Sequence, residues 1–442
     1  MAVASRILLI GGSKALRLFA EDMLKAGHPA YRAETAEQAI DAARVECPDI
    51  VISDVDLLVN AQAFADGMAK ACSPFRPVLV AVAPDGIDAA RRTALEAVID
   101  EVIAGPLDVM TALFRLEPLA RLVTMRNELS LRRLTLSRLN VPVEPPPSAP
   151  SDLPILVLAV DPKLANALGH AVSAAGARAV FSDNPFQAEG ILASEECSAL
   201  VAVADESSRD EILGLCYQIR KNARLFHLPI MLVADATLAA APVEAYAQGV
   251  NLVLPLATPS ETLVSEISAQ LQRHNRRRTL RDRLMAVIPS SSLDVATGLV
   301  AEPFLLEHLT TLADAYRARR RPLSLVTFSI RNLDAAIAKH GAANANRLYG
   351  EVARWIHRLI RAEDTGGRLG NNEFAVVLPN TDDSDARSAM YRVDDVLSHT
   401  EFGLDGEPFS LWIASGRATL HSGETAANLL ANARASLGDP RA

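Results

Sequence analysis

The chain has 442 residues, of which 50% are hydrophobic and 22% are charged, and its formal net charge is -9. This length exceeds one ordinary hydrophobic core and predicts roughly two to four globular domains, while the apolar content excludes disorder along the whole chain. The acidic balance argues against nucleic acid as a partner, because phosphate binding requires a broad cationic surface.

The cysteines and the N-terminus indicate the cellular compartment. Cys47, Cys72, Cys197 and Cys216 form no C-x-x-C pair and have no histidine at metal-ligand spacing, which predicts buried thiols in a reducing compartment. No basic segment precedes a signal-length apolar run, and no stretch reaches the roughly 18 apolar residues of a membrane span. We therefore expect a cytoplasmic protein without a disulfide framework or a zinc site.

An internal repeat with a period of about 150 residues occupies the N-terminal part of the chain. Arg6–Gly12 and Pro154–Val160 both predict short buried strands, and Ala43–Asp54 matches Ala193–Asp205. Strands that alternate with helix-length segments indicate parallel βαβ units with helices on both faces of a sheet. The sequence therefore predicts two doubly wound α/β domains with parallel sheets.

Two basic helical segments separate the predicted domains, and clustered prolines after the first one favour an extended spacer. The predicted units are a first domain with its C-terminal linker helix over residues 1–139, a Pro-rich linker over 140–152, a second domain over 153–275, a linker helix over 276–288 and a third domain over 289–442.

The third domain has a different pattern. Residues 323–330 predict a buried strand, residues 368–379 predict a β-hairpin with an Asn-Asn tip, and 409–415 predict another strand. Apolar residues at helical spacing predict a helix that packs one face inward: Val352, Trp355, Ile356, Leu359 and Ile360. This is an α+β domain with an antiparallel component.

The two repeats resemble response-regulator receiver domains, over about residues 5–126 and 154–275. That family uses an acidic pair for Mg²⁺, an acceptor Asp, a hydroxyl and a Lys to handle phosphoryl charge. The first repeat keeps Asp54 at the acceptor position, which makes Asp54 the phosphoacceptor candidate, and Asp56 could serve equally. The alternative interpretation of Asp54 is a polar residue at a strand end. The other positions are replaced by Gly11, Gly12, Val82 and Gly105.

In the second repeat, apolar residues replace the acidic pair, the acceptor Asp, the hydroxyl and the Lys of the receiver family. The residues at these positions are Ala159, Val160, Ala204, Ala234 and Leu254. Asp205 follows one residue late, and a one-residue shift on a strand reverses the side-chain direction, so it is a poor substitute. We interpret this repeat as a dimerisation or docking module, which predicts a homodimer.

The third domain resembles the GGDEF domain of diguanylate cyclases, because Asp294–Glu302 follows the frame of the family's opening motif and Gly370–Phe374 reads GNNEF at the signature. The domain order is similar to that of PleD-type receiver-receiver-GGDEF response regulators. The resemblance implies a degenerate active site: Ser329 and Asn372 stand at the metal-binding carboxylate positions, Asn371 at the second signature glycine, and Ile337 and Asn346 at the guanine-reading positions. It therefore implies no catalytic residue and no metal.

One family feature is retained upstream of the hairpin. Arg361–Asp364 reads RAED and stands five residues before GNNEF, the register of the family's inhibitory R-x-x-D site, and Arg392 matches a second arginine of that site. The resemblance implies that Arg361, Asp364 and Arg392 bind cyclic di-GMP through phosphate and guanine contacts. R-x-x-D also occurs at Arg331 and at Arg392, so register selects Arg361. The alternative is an exposed Arg-Asp pair that contributes at most about 1 kcal/mol.

The resemblance implies a cyclic di-GMP effector in two-component signalling that acts as an adaptor in cell-cycle-regulated proteolysis. It also implies recruitment to a cell pole and protein partners, namely a protease adaptor such as RcdA, a substrate such as CtrA and the ClpXP machinery. Three alternatives remain open: a phosphorylation-controlled response regulator that uses Asp54, a weakly active diguanylate cyclase, and a purely structural interaction protein.

Overall fold

The computed structural model describes residues 6–105, 109–143, 153–222, 225, 228–370, 372–404 and 407–438. The predicted fold class is confirmed, since two parallel five-stranded sheets are followed by an α+β domain with an antiparallel sheet. Most of the predicted Pro-rich linker, residues 144–152, lies outside the described residues, as does Asn371, which the sequence assigned to the second signature glycine.

The first domain alternates short buried strands with amphipathic helices. Ser13, Thr35 and Asn60 cap three of its helices by accepting a backbone N–H with their side chains. Its sheet has the order β2-β1-β3-β4-β5 and separates two apolar cores. The elements are β1 Ile7–Ile10, α1 Lys14–Lys25, β2 Ala30–Ala33, α2 Ala36–Glu46, β3 Ile50–Asp54, α3 Ala61–Cys72, β4 Val78–Ala83, α4 Ala89–Glu96, β5 Glu101–Ala104 and α5 Val109–Arg138.

The second domain repeats this plan, with sheet order β10-β9-β8-β6-β7. Its last helix is continuous across the boundary predicted at residue 275 and includes the basic segment that follows. The elements are β6 Ile155–Leu158, α6 Pro162–Ala174, β7 Ala179–Ser182, α7 Pro185–Ser194, β8 Ala199–Ala204, α8 Arg209–Lys221, β9 Ile230–Ala234, α9 Ala236–Ala240, α10 Val243–Ala247, β10 Leu252–Pro255 and α11 Ser260–Ala286.

The third domain has an antiparallel sheet of order β12-β13-β11-β16 and a separate hairpin of β14 and β15. Its elements are α12 Glu302–Ala318, β11 Leu323–Ile330, α13 Leu333–Leu359, β12 Thr365–Leu369, β13 Glu373–Pro379, α14 Asp383–His399, β14 Glu401–Leu404, β15 Glu407–Ser410, β16 Ile413–Thr419 and α15 Ala426–Ala435. Gly341 interrupts α13 with φ of 81°, a conformation that glycine adopts without steric cost.

The single strand predicted over residues 409–415 is wrong. Phe409 pairs with Phe402 in the β14–β15 hairpin, whereas Ile413 pairs with Ile330 of β11. Between the two strands, the backbone N–H of Trp412 donates to the Asn332 side chain at 3.0 Å. The apolar run is therefore divided between two sheets.

The second half of α5 leaves the first domain and packs into the third. Met125, Leu129, Leu131 and Leu136 share one apolar core with residues of α12, β12 and β13. The first domain thus contributes part of the environment of the turn that precedes β12. The four cysteines are buried and free, as the sequence predicted.

Candidate functional site

The turn of Arg361–Asp364 joins α13 to β12 and is closed by two hydrogen bonds. The backbone N–H of Arg361 donates to Asp364 Oδ2 at 2.8 Å, and the backbone N–H of Asp364 donates to the Arg361 carbonyl at 3.1 Å. The Arg361 side chain is exposed, while Asp364 is only 6% exposed. The turn therefore combines an exposed guanidinium with a largely buried carboxyl group.

Arg392 joins this turn from α14. Buried apolar residues anchor α14 to the sheet, and Arg392 is exposed with its Nε donating to the Leu359 carbonyl at 3.2 Å. The charges of Arg361 and Arg392 both act on the Asp364 carboxyl group. The structure thus brings together the three residues that the sequence selected.

The Asp364 carboxyl group is electrostatically frustrated. Burial, followed by the nearby charge of Glu363, raises the pKa of Asp364 to about 7 against the opposing effect of the two arginines. Its Oδ1 atom is buried and has no hydrogen-bond partner among the described residues. A ligand that donates an N–H to this carboxyl group would satisfy an acceptor that the protein leaves unpaired.

The two arginines form a small cationic surface. Burial, and next the repulsion from Arg361, lowers the pKa of the Arg392 guanidinium. Two like charges that destabilise each other are stabilised by a bound anion. The arrangement suits a ligand with both phosphate groups and N–H donors.

The family's metal positions lie at one end of the sheet. Ser329 is opposite Glu373 in the β11–β13 register, and the Ile330 N–H donates to the Asn372 carbonyl at 2.9 Å. Glu373 is paired with Arg434 through three hydrogen bonds of 2.8 to 3.1 Å. Within the described part of the chain, no cluster of three or more His, Cys, Asp or Glu residues could hold a metal ion.

The two positions that the resemblance assigns to guanine recognition lie on either side of a break in α13. Asn346 lines an open cleft of about 600 Å³ together with Thr297, Arg347 and Arg354. Ile337 lies on the other side of the Gly341 break in α13 and is 37% exposed. An apolar side chain there offers no hydrogen bond to a base edge.

Asp54 of the first domain accepts hydrogen bonds from Ser13, the N-cap residue of α1. Its carboxylate accepts the Ser13 N–H at 3.2 Å and the Ser13 hydroxyl at 2.9 Å, and it is 9% exposed. A Cβ at Gly11 would overlap the Asp54 carboxylate, so glycine there makes room for this contact. Asp56 is exposed and faces Arg91 at 3.4 Å.

Asp205 of the second domain accepts hydrogen bonds from the loop that follows it. Its Oδ1 accepts hydrogen bonds from the backbone and hydroxyl groups of Ser207 and Ser208, at 2.7 to 3.0 Å. These hydrogen bonds lower the pKa of Asp205. The preceding Ala204 is fully buried and provides no acceptor group.

The sequence did not single out the residues that support the turn from the interior. Arg132 of α5 donates to the carbonyls of Ala362 and Asp364, and Glu128 of α5 accepts a hydrogen bond from Thr365. A Glu and an Arg four residues apart on a helix are typical of an exposed ion pair, so the local pattern contained no signal of this contact.

Comparison with known proteins identifies the third domain. Residues 291–440 match the family model described as diguanylate cyclase, GGDEF domain. The response regulator PleD of Caulobacter vibrioides is 24% identical over 426 residues, which cover 95% of this chain and 90% of PleD. Diguanylate cyclase A of Treponema denticola is 26% identical over 134 residues, or 29% of this chain and 36% of that protein.

Among solved structures, the GGDEF domain of DgcB from Caulobacter crescentus in complex with c-di-GMP is 19% identical, with a TM-score of 0.33, and the match covers 34% of this chain and 88% of that one. Helices long and apolar enough to cross a membrane do not occur in the described residues. The chain is therefore similar to the response regulator PleD over nearly its whole length, and its residues 291–440 match the GGDEF-domain model.

Proposed function

We propose that the protein is a cyclic di-GMP effector that binds the dinucleotide at Arg361, Asp364 and Arg392. The observation that carries the proposal is the meeting of two exposed arginines with a buried carboxyl group that has an unpaired oxygen. Guanidinium groups bind phosphate oxygens or a guanine edge in a forked geometry, and a carboxylate accepts guanine N–H groups. Hydrogen bonds to charged groups contribute about 1.5–3 kcal/mol each, so a few of them support micromolar affinity.

Loss of cyclase activity is part of the same proposal. Diguanylate cyclases of the GGDEF family use metal-bound triphosphate, and a hard cation such as Mg²⁺ requires anionic oxygen ligands. Here a hydroxyl at Ser329 and an amide at Asn372 replace the carboxylates, and Glu373 is neutralised by Arg434. These residues do not fit the metal, so the third domain acts in binding and not in catalysis.

The adaptor role extends the proposal through a resemblance to PopA, a degenerate PleD-type protein. In this proposal the ligand-bound homodimer recruits a cell-cycle regulator for regulated proteolysis, with RcdA, CtrA and ClpXP as the kind of partners and a cell pole as the place. The second domain, whose receiver positions are apolar, is the proposed docking or dimerisation module.

The first prediction is that isothermal titration of the full chain with cyclic di-GMP gives a Kd near the micromolar range, about −8 kcal/mol. Arg361→Ala should weaken binding at least about 30-fold, because it removes a charged hydrogen-bond donor worth about 2 kcal/mol or more. GTP with Mg²⁺ or Mn²⁺ should show no turnover on the same samples.

The matched control is Arg331→Ala, which removes an exposed arginine from another R-x-x-D sequence of the same domain and should leave the Kd unchanged. Absence of binding to the natural protein, or equal losses in the two variants, would refute the ligand site. GTP turnover would instead establish an enzyme.

The second prediction concerns Asp54. Since its carboxylate already accepts two hydrogen bonds from Ser13, incubation with acetyl phosphate and Mg²⁺ should leave the protein unmodified. Intact-mass measurement checks this. A mass gain of one phosphoryl group that disappears in Asp54→Asn would favour the phosphorylation-controlled alternative.

A further inference from the structure

Arg132 of α5 holds the interior side of the Arg361–Asp364 turn. Its Nη2 donates to the Asp364 carbonyl and to the Thr365 hydroxyl, both at 3.0 Å, and to the Ala362 carbonyl at 3.3 Å. Its Nη1 donates to the Leu284 carbonyl of α11 at 2.9 Å. One buried guanidinium therefore connects the turn to helices of both N-terminal domains.

Glu128 fixes the position of this guanidinium. Its Oε1 accepts from Arg132 Nε at 2.8 Å and from the Thr365 hydroxyl at 3.2 Å, and it lies 2.8 Å from His308 Nε2. Glu128 is fully buried. Burial alone would raise the pKa of Glu128, but the charges of His308 and Arg132 lower it to about 2, so the carboxylate is ionised at neutral pH.

A third side chain of α5 reaches the same turn. Arg121 Nε lies 3.7 Å from Glu363 Oε1, and Glu363 is 2% exposed. Ala362, Glu363 and Asp364 are thus each contacted by α5, whereas Arg361 points to solvent. On this turn Arg361 would meet a ligand, Ala362 and Glu363 meet α5, and Asp364 would do both, through its carboxyl group and its backbone carbonyl respectively.

We propose that Arg132, oriented by Glu128, is a positioning residue for the cyclic di-GMP site, so that helix α5 of the first domain sets the affinity of the third domain for its ligand. This inference rests on the proposed function. The physical reason is preorganisation. A turn whose carbonyls are held by the planar guanidinium of Arg132 loses less conformational freedom when a ligand binds. Because coupling is reciprocal, ligand binding also stabilises the docked α5.

The test is Arg132→Lys, which keeps the charge but cannot donate to the three acceptors of the turn, to the Leu284 carbonyl and to Glu128 in the planar geometry of arginine. We expect the Kd for cyclic di-GMP, measured by isothermal titration of the full chain, to rise at least tenfold. Amide hydrogen exchange of Arg361 and Asp364 in the ligand-free protein should also become faster. Arg133→Lys, an exposed neighbour on α5, is the matched control and should change neither quantity.

Thr365→Val is a second variant, which removes the hydroxyl between Arg132 and Glu128 without removing a charge. Unchanged affinity and exchange in folded Arg132→Lys and Thr365→Val would overturn the inference, even if the natural protein binds the ligand. If the natural protein does not bind, the proposed function fails, and exchange at the turn still decides whether Arg132 positions it.

Discussion

Binding of cyclic di-GMP is expected to weaken about tenfold when the pH falls from 8 to 6, and about tenfold more at pH 5. The pKa of Asp364 is about 7 in the ligand-free protein, because its burial and the charge of Glu363 outweigh the two arginines. A carboxylate accepts guanine N–H groups, whereas the protonated form has lost acceptor capacity. Binding must therefore expel a proton below pH 7.

The sign of the effect follows from the proton count. Below pH 7 the free site carries a proton that the complex lacks, so lower pH opposes binding, and above pH 8 the Kd becomes constant. Titration calorimetry at pH 6 in two buffers of different ionisation enthalpy should show close to one proton released. The same raised pKa stabilises the ligand-free fold at pH 4 relative to pH 8, since the folded state binds the extra proton.

Asp364→Asn is the control for this prediction. The amide keeps one acceptor oxygen but does not titrate, so the variant should bind more weakly at pH 8 and show a flat pH profile between 6 and 8. A natural protein with a flat profile, or a variant that keeps the natural slope, would show that Asp364 does not contact the ligand as a carboxylate.

Replacing Arg321 with Met should destabilise the third domain by about 3–5 kcal/mol, because it leaves a buried carboxylate without its partner. Arg321 is 6% exposed, forms an ion pair with Asp49 of the first domain and donates to the Cys47 carbonyl at 2.9 Å. Its guanidinium also lies 4.8 Å from the centre of the Phe75 ring. Urea denaturation followed by fluorescence of Trp355 and Trp412 reports on this domain.

Arg417→Met is the matched control for Arg321→Met. Arg417 makes two hydrogen bonds with Asp383, at 2.9 and 3.1 Å, but the Asp383 side chain is 54% exposed. An exposed ion pair of this kind contributes at most about 1 kcal/mol. Equal shifts of the urea midpoint in the two variants would show that the contact between the first and third domains does not stabilise the third domain.

The sequence was sufficient for the order and type of the domains. The buried strands at Ile7–Ile10 and Ile155–Leu158 are encoded by apolar residues within single segments, and α13 by its helical spacing. The prediction of one strand over 409–415 failed because the local pattern contains no break between the two strands, and only pairing with β11 and β14 decides where the segment divides. Local patterns specify local structure, whereas strand partners are a property of the sheet.

The candidate site likewise combines features that the sequence predicts with features that only the tertiary structure determines. The spacing of Arg361 and Asp364 from the GNNEF signature by itself selected one R-x-x-D sequence among three and pointed to Arg392. Tertiary structure decided that Asp364 is buried, that its pKa is near 7, and that Glu128 and Arg132 support the turn. The burial of Asp364 depends on the elements that pack around its turn, among them a helix more than 200 residues distant in the chain, and local spacing in the sequence does not predict it. The charges that act on its pKa come from Glu363, Arg361 and Arg392.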